Sequence, residues 1–551
     1  MEFTSVNKIF EASFKKHWDR PAISNYQGVT LHYRDVARRI EKLHIMFEEC
    51  GLQKGDKVAL CSRNQANWAV AFLSTMTYGA VPVPLLHEFK SSNIHHLVNH
   101  SEAKILFVDD VIWEGLTEAE MPDLHAIIQV NTFKLLYSAD ARITEAREHL
   151  NELFGRKYPN VFTPDALNYY EDSAEELAII NYTSGTSGFS KGVMIPYRAI
   201  LSNLEFAHKV LPELDHTKNM VSMLPSAHMY GLMFELLYEL SVGAHVHFLS
   251  RVPSPKVIMQ AMADVKPYLI IAVPLVIEKI YKSKVKPILE KEGIRFLMKV
   301  PGLNQVVMNK IRTELVNAFG GEFYQVIIGG AAFNKEVEAF FKRIGFPVTV
   351  GYGMTECAPI ITYDDWTVEK LYSCGKAAPN LEVRIDSKDP ENVPGEILVK
   401  GANVFLGYFK NEDATRSVFT EDGWFKTGDM GVIDQDGSLF IKGRSKCMIL
   451  GPSGQNIYPE EVETVINSQP YVVDSLVVED DGGLTALIYP DFAQGAKDGM
   501  DQDAFIRYMQ DTLPELNKEL PNYAKLKKIE VMSEDFERTP KKSIKRYLYQ
   551  R

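Results

Sequence analysis

Apolar residues recur along this chain with two different periods, and stretches of the two kinds alternate. Val6, Ile9, Phe10 and Phe14 fall on one helical face, which predicts a short amphipathic helix over 6–16. A longer helix is expected from Asp35, read as its N-cap, to Gly51, where the glycine ends it. The runs Lys57-Val-Ala-Leu, Ala80-Val-Pro-Val-Pro, Lys104-Ile-Leu-Phe-Val and Ala126-Ile-Ile-Gln-Val read as strands, with a helix over 67–78 set among them. Phe323-Tyr-Gln-Val-Ile-Ile and Pro347-Val-Thr-Val continue the series around a helix over 335–344. Strand and helix alternating at short spacing imply layered α/β architecture with buried, mostly parallel sheets.

The pattern then changes. Leu381-Glu-Val-Arg-Ile and Gly395-Glu-Ile-Leu-Val-Lys-Gly are short alternating strands with turn signals between them, predicting a small β-barrel-like subdomain. From residue 446 onward the composition is that of a separate α+β unit. Its strands lie near 475–478 and 485–489 and its helices over 459–468 and 503–513, the latter presenting Phe505, Ile506, Met509 and Leu513 on one face. The expected organisation is a large α/β domain over 1–445 followed by a small α+β domain over 446–551.

Composition narrows the function classes. At 551 residues several domains are expected, and 46% apolar with 24% charged residues is ordinary for a globular protein. A net charge of −12 argues against nonspecific nucleic-acid binding. Five scattered cysteines with no C-x-x-C pair fit a reducing compartment and exclude a Cys-rich zinc module. The N-terminus lacks an uninterrupted apolar core with a cleavage site, and the apolar stretches near 69–86 and 268–277 are broken, so the chain reads as cytoplasmic. Oligomeric state is left open. His96 and His100 have i,i+4 spacing, with His95 beside them, but no third ligand or general-base Glu accompanies them, and a half-exposed helix face is the reading. One local reversal stands out: 279–312 holds nine Lys/Arg against two Glu. Such a segment is able to touch an anionic membrane surface, although a plain solvated helix is the simpler reading.

The candidate chemistry centres on Tyr182-Thr-Ser-Gly-Thr-Ser-Gly-Phe-Ser-Lys-Gly-Val-Met-Ile195. Three glycines, five Ser/Thr hydroxyls and Lys191 are the ingredients of a phosphate-handling loop. The Walker pattern fails, because Ser190 and Gly192 stand where its second Gly and its Ser/Thr belong. Gly351-Tyr-Gly-Met-Thr-Glu-Cys leaves a strand, and there Tyr352 can stack on a purine, Thr355 can donate to a phosphate, and Glu356 is a hard oxygen ligand for Mg²⁺. Asp429, in Lys426-Thr-Gly-Asp, can accept two ribose hydroxyls.

Taken in order, these motifs resemble those of the adenylate-forming superfamily, which includes acyl-CoA synthetases, peptide-synthetase adenylation domains and luciferases. The resemblance implies a β- and γ-phosphate site at Thr183, Ser184, Gly185, Thr186 and Lys191, with Ser187 and Ser190 replacing the usual Thr and Pro. It places Gly330 and Ala331 at the nucleotide's adenine edge and Gly329 beside the substrate, with Tyr352, Gly353, Thr355 and Glu356 in the family's GYGxTE motif. Asp429 would hold the ribose, Arg444 the ribose or a phosphate from the other side, and His228 would line the acyl pocket. No acid stands between Leu224 and Phe234, where peptide-synthetase domains carry an amino-group anchor, and Val273-Pro-Leu-Val-Ile-Glu-Lys-Ile-Tyr281 resembles a segment of long-chain acyl-CoA synthetases. A hinge is implied at Lys446, with Cys447 in place of an Asp, and a loop at 451–458 that guides the acceptor thiol. The family's C-terminal lysine slot holds Ser543, flanked by Lys542 and Lys545, either of which could serve. As a whole the resemblance implies an ATP-, Mg²⁺- and coenzyme A-dependent enzyme activating a medium- to long-chain fatty acid. The rivals are a ligase that loads an acyl carrier protein, an amino-acid or aryl-acid activating enzyme, and a non-catalytic nucleotide or acyl-CoA sensor.

Overall fold

A computed structural model of the chain describes residues 5–183, 191–211, 214–250, 254–300, 302–450, 456–480, 483–539 and 543–551. Two large sheets form the body. One has seven strands in the order Val348–Val350, Gln325–Ile328, Leu269–Ala272, Asn219–Ser222, His245–Phe248, Pro21–Asn25 and Thr30–His32, parallel except for the final hairpin. The other has five, in the order Val81–Leu85, Lys57–Cys61, Ala103–Val108, Ala126–Gln129 and Leu135–Ser138, and again only the last pair is antiparallel. Uninterrupted apolar runs suit strands covered on both faces, and Leu269–Ala272 and Gln325–Ile328 are buried at every position.

Helix Ala66–Tyr78 is apolar or small all round and is buried over 11 of its 13 residues. It stops at Gly79, which adopts the left-handed φ of +88°, and an added Cβ there would sit 2.8 Å from the Tyr170 ring. The preceding helix starts before Asp35: it spans Tyr33–Glu49, and Asp35 reaches back from its third position to accept the His32 backbone N–H at 2.9 Å. Asp35 is therefore the far half of a capping box and not the N-cap.

Further along the chain lies a four-stranded antiparallel sheet, Leu381–Asp386, Gly395–Gly401, Phe425–Ile433 and Leu439–Arg444, accompanied by two three-stranded sheets. Among the described strands no sheet closes on itself, so open sheets stand where a barrel-like subdomain was expected. After residue 446 a three-stranded sheet, Val472–Asp480, Gly483–Pro490 and Leu526–Val531, carries helices Pro459–Asn467, Gln502–Asp511 and Leu513–Glu519 over its own apolar core. The two parts touch through Lys442 and Glu461, paired at 3.4 Å, and through Lys282, whose Nζ donates to the Val472 carbonyl at 3.4 Å.

Two histidines of helix Ser91–Ser101, His95 and His100, are committed to protein partners, and His96 is exposed. His100 Nδ1 lies 2.6 Å from the Tyr182 hydroxyl, while His95 accepts from the Thr117 N–H and pairs with Glu120.

Glu239, on helix Tyr238–Val242, is wholly buried, and its carboxylate oxygens find no partner beyond the residue's own backbone among the described residues. Burial pushes its carboxyl up to about 8. The folded protein then keeps a proton that the unfolded chain releases above pH 4.5, so stability falls as pH rises between about 4.5 and 8. Glu239→Gln is expected to flatten the decline of Tm over that window, removing up to roughly 4–5 kcal/mol of pH dependence. Parallel Tm–pH curves for the two proteins would refute this.

Candidate active site

Gly329, Gly330, Ala331, Tyr352 and Gly353 lie at the carboxyl ends of the parallel strands, where open α/β sheets bind ligands, and side-chain contacts tie Asp429 and Arg444 to them. Strand Gln325–Ile328 ends in Gly329-Gly330-Ala331, and strand Val348–Val350 beside it ends in Gly351-Tyr352-Gly353. Gly330 has φ +87° and, with Ala331, is exposed at this edge. Gly329 is buried: a Cβ there would meet the Tyr230 ring at 3.2 Å, and the Tyr230 hydroxyl donates to the Ile327 carbonyl at 3.0 Å. Gly353 admits no side chain, because an added Cβ would collide with the Pro359 carbonyl.

Two hydrogen-bonded rows run from these turns. In the first, the Tyr352 hydroxyl donates to Asp429 Oδ2 at 2.7 Å, and Arg444 Nε lies 3.1 Å from Asp429 Oδ1. Asp429 and Arg444 face each other as cross-strand partners on Phe425–Ile433 and Leu439–Arg444, so the ladder fixes their pairing. Asp429 is buried, and its charge raises the Arg444 guanidinium above the ordinary arginine value. Burial, then the Asp429 carboxylate, push the Tyr352 phenol well up, so it stays a donor.

In the second row, the Tyr408 hydroxyl donates to Glu356 Oε1 at 3.0 Å, and Lys191 Nζ sits 4.6 Å from the centre of the Tyr408 ring. Strand Lys191–Pro196 pairs antiparallel with Gly407–Tyr408, which brings the lysine over the ring. Glu356, in the turn Thr355–Cys357, is buried, and its carbonyl accepts the Phe405 N–H at 2.9 Å. Burial, then Glu356, push the Tyr408 phenol up as well. One tyrosine thus links the acid proposed to hold Mg²⁺ with the lysine proposed to hold phosphate. Tyr408→Phe keeps the ring and removes the hydroxyl. Its expected outcome is a roughly tenfold higher Mg²⁺ requirement for ATP–pyrophosphate exchange, with little change in Tm, read from a Mg²⁺ titration.

Thr183 and Lys191 are paired across the hairpin Leu177–Thr183/Lys191–Pro196. Ser184, Gly185 and Thr186 between them lie outside the described residues, as do Lys542 and 451–455. His228, half-buried, precedes helix Met229–Leu232 at the same sheet edge. Lys545 is not brought to this site: its Nζ pairs with Glu537 at 3.0 Å within the C-terminal part.

Sequence reasoning missed Tyr230, Tyr408 and Glu235. Glu235 is buried and accepts from the Met223 and Leu224 N–H groups and the Ser222 hydroxyl, which fixes the segment leading to His228. Its signal was a lone acid inside the apolar run Leu232-Met-Phe-Glu-Leu-Leu. Tyr408, next to Gly407, carried no comparable signal, since its role depends on a strand pairing more than 200 residues apart in sequence.

The chain matches the family model described as "AMP-binding enzyme" over residues 10–409 and that of its C-terminal domain over 448–551. It is 27% identical over 482 residues to the long-chain-fatty-acid–CoA ligase FadD15 of Mycobacterium bovis, covering 81% of this chain and 74% of that protein. It is 25% identical over 537 residues to the long-chain-fatty-acid–CoA ligase heimdall of Drosophila melanogaster, covering 91% and 78%. Among solved structures, ATP-bound MatB from Rhodopseudomonas palustris shares the fold at a TM-score of 0.76 and 24% identity, covering 99% of this chain and 98% of that one. The two hydrogen-bonded rows and the match over nearly the whole chain lead to one conclusion: the chain belongs to the AMP-binding enzyme family, the adenylate-forming acyl-CoA ligases.

Proposed function

We propose that this protein is an ATP-dependent acyl-CoA synthetase that activates a medium- to long-chain fatty acid as an acyl-adenylate and passes it to CoA. The observation that carries the reading is the row Tyr352–Asp429–Arg444 lying beside the row Glu356–Tyr408–Lys191 at one sheet edge. Asp429 already accepts from two neighbours and keeps lone pairs for ribose hydroxyls, and the exposed Gly330–Ala331 turn admits a flat base. Glu356 accepts one hydrogen bond and retains oxygen ligands for a hard cation, so the donor set fits Mg²⁺, which when bound neutralises phosphate charge. Thr183 and Lys191, with Ser184, Gly185 and Thr186, would meet the β- and γ-phosphates, and Thr355 the α-phosphate. The developing charge lies on phosphate oxygens, so fixed donors carry most of the rate enhancement.

The substrate class rests on two supports. Relatives carry long-chain fatty acid–CoA ligase names, and the first acid after Leu224, Glu235, is spent on backbone amides and offers no amino-group anchor. Each buried CH₂ contributes about 0.8 kcal/mol, so pocket depth sets the preferred chain length. His228 would line that pocket, with Gly329 beside the substrate. The domain boundary is placed at 445/446, and the C-terminal domain pivots at Lys446 between the two half-reactions, as a lid that excludes water.

One observation favours a second reading. Ser543 occupies the lysine slot and Lys545 is tied to Glu537, which suits a sensor that binds nucleotide without turning it over. ATP–pyrophosphate exchange across C4 to C18 fatty acids, amino acids and aryl acids separates these, followed by product analysis with CoA and with an acyl carrier protein. Exchange that peaks with C8–C18 acids and yields acyl-CoA supports the proposal. ATP binding with no exchange for any acid supports the sensor, and transfer only to the carrier protein overturns the acceptor.

A further inference from the structure

The cationic stretch singled out in the sequence forms a defined surface that includes no residue of the two rows described above. Helix Leu303–Ala318 packs against both Glu292–Leu297 and Lys335–Ile344. Between them lies a cavity of about 300 Å³, floored by Met298, Met308 and Phe340 and rimmed by Arg295, Lys299 and Arg343. None of the three rim cations has an ion-pair partner among the described residues, and no acid lines the cavity. Beside it, Phe296 is 68% exposed and Val306 64% exposed, with Leu303 also open to solvent. Leu303, Val306 and Lys310 lie at i, i+3 and i+7, so they share the outward stripe of their helix, opposite the buried Met308, Ile311 and Leu315.

We infer that this face is a docking surface for an anionic lipid bilayer. Bulky apolar groups cost free energy in water, and here they lie beside the rim cations Arg295, Lys299 and Arg343, with Lys310 on the same stripe paired to Glu314 at 4.0 Å, the arrangement of an interfacial amphipathic element. The rest of the molecule supplies the orientation: the chain carries −12 overall, so an anionic leaflet repels the body and attracts this face. An acidic soluble protein would need carboxylates in fixed register with these cations, and single exposed side chains such as Phe296 would gain little from it. A fluid leaflet accepts phenylalanine and valine below its headgroups and leaves the flexible cations at phosphate level. The contact is peripheral, since among the described residues no helix is long and apolar enough to cross a membrane. Docking at this face is independent of the reaction proposed above.

The test is co-flotation of the full-length protein with vesicles of phosphatidylcholine alone or with 30 mol% phosphatidylglycerol, at low and high salt. Wild-type protein is expected to float with the anionic vesicles only, and to be released by high salt. A cation near such a surface contributes about fivefold in affinity, so the double variant R295E/K299E should partition at least roughly 25-fold less. The variant F296S/V306S should also partition several-fold less while keeping the salt dependence. Both variants should retain wild-type ATP–pyrophosphate exchange and Tm, which separates a docking defect from misfolding. Flotation that ignores lipid charge, or that survives both double substitutions, overturns the inference. So does saturable binding of monomeric dodecyl phosphate without flotation, which would make the cavity a site for free amphiphiles. Capture of an acidic carrier protein by this face without flotation would overturn it in favour of a protein partner.

Discussion

Replacing Glu356 by glutamine is expected to slow ATP–pyrophosphate exchange by roughly 10²–10³ while leaving the fold in place. Glutamine preserves the shape and the oxygen that accepts from Tyr408 at 3.0 Å, so the buried turn Thr355–Cys357 keeps its internal hydrogen bonds. What disappears is one negative charge facing the site. If that charge holds Mg²⁺, the loss shows as a higher Mg²⁺ requirement and a lower maximal rate, with ATP binding in the absence of metal unaffected. A purely structural role predicts the reverse: a lowered Tm with the Mg²⁺ dependence unchanged. Measuring exchange against Mg²⁺ concentration, with Tm alongside, decides between them.

That experiment concerns a residue the sequence made conspicuous. Gly351-Tyr-Gly-Met-Thr-Glu is a local motif at a strand end, and local motifs are what a single sequence displays well. The parallel sheets were equally legible, because strands covered on both faces read as near-continuous apolar runs, as Leu269–Ala272 does throughout and Gln325–Ile328 does after Gln325. The reach of such reasoning ends where a role depends on distant pairing. Tyr408 joins Glu356 to Lys191 only because Gly407–Tyr408 pairs with Lys191–Pro196. Tyr230 closes over Gly329 because a helix from one strand end crosses to another. Asp35 misled for a different reason: an acid at the third helical position and an acid at the N-cap look alike in one dimension. The barrel-like expectation arose similarly, since alternation reports one covered face and not whether a sheet closes.

The C-terminal tail is where sequence and structure jointly sharpen a choice. Arg538 and Ile544 form a bridge, and the Thr539 N–H donates to the Ser543 carbonyl at 2.8 Å, so the two arms of a hairpin are fixed on either side of Pro540-Lys541-Lys542. Lys545 belongs to the returning arm. Its N–H donates to the Glu537 carbonyl at 2.8 Å, and its ammonium pairs with the Glu537 carboxylate at 3.0 Å. Arg546, next to it, contacts Glu463 on helix Pro459–Asn467 and lies 3.8 Å from Glu460. This arm is anchored to its own domain and travels with it when the domain pivots, so for Lys545 to act on a phosphate its ammonium would have to leave Glu537. That cost against Lys545 leaves Lys542 as the better candidate.

Lys542→Ala is therefore expected to lower fatty-acid-dependent exchange by roughly 10²–10³, the usual effect of removing one donor from a developing oxyanion. Lys545→Ala should cost no more than about threefold, because it removes a surface ion pair of small energetic weight. Separating the half-reactions makes the result specific. A lysine that acts on the α-phosphate during adenylate formation is dispensable once the adenylate exists, so Lys542→Ala should convert preformed acyl-AMP and CoA to the thioester at a near wild-type rate. Equal loss in both half-reactions would point to a disturbed hairpin in place of a missing charge. A large loss in Lys545→Ala alone would mean that its ammonium leaves Glu537 during the reaction, and the assignment would pass to Lys545. If neither substitution matters while exchange is robust, charge neutralisation at the α-phosphate comes from residues on the large domain alone.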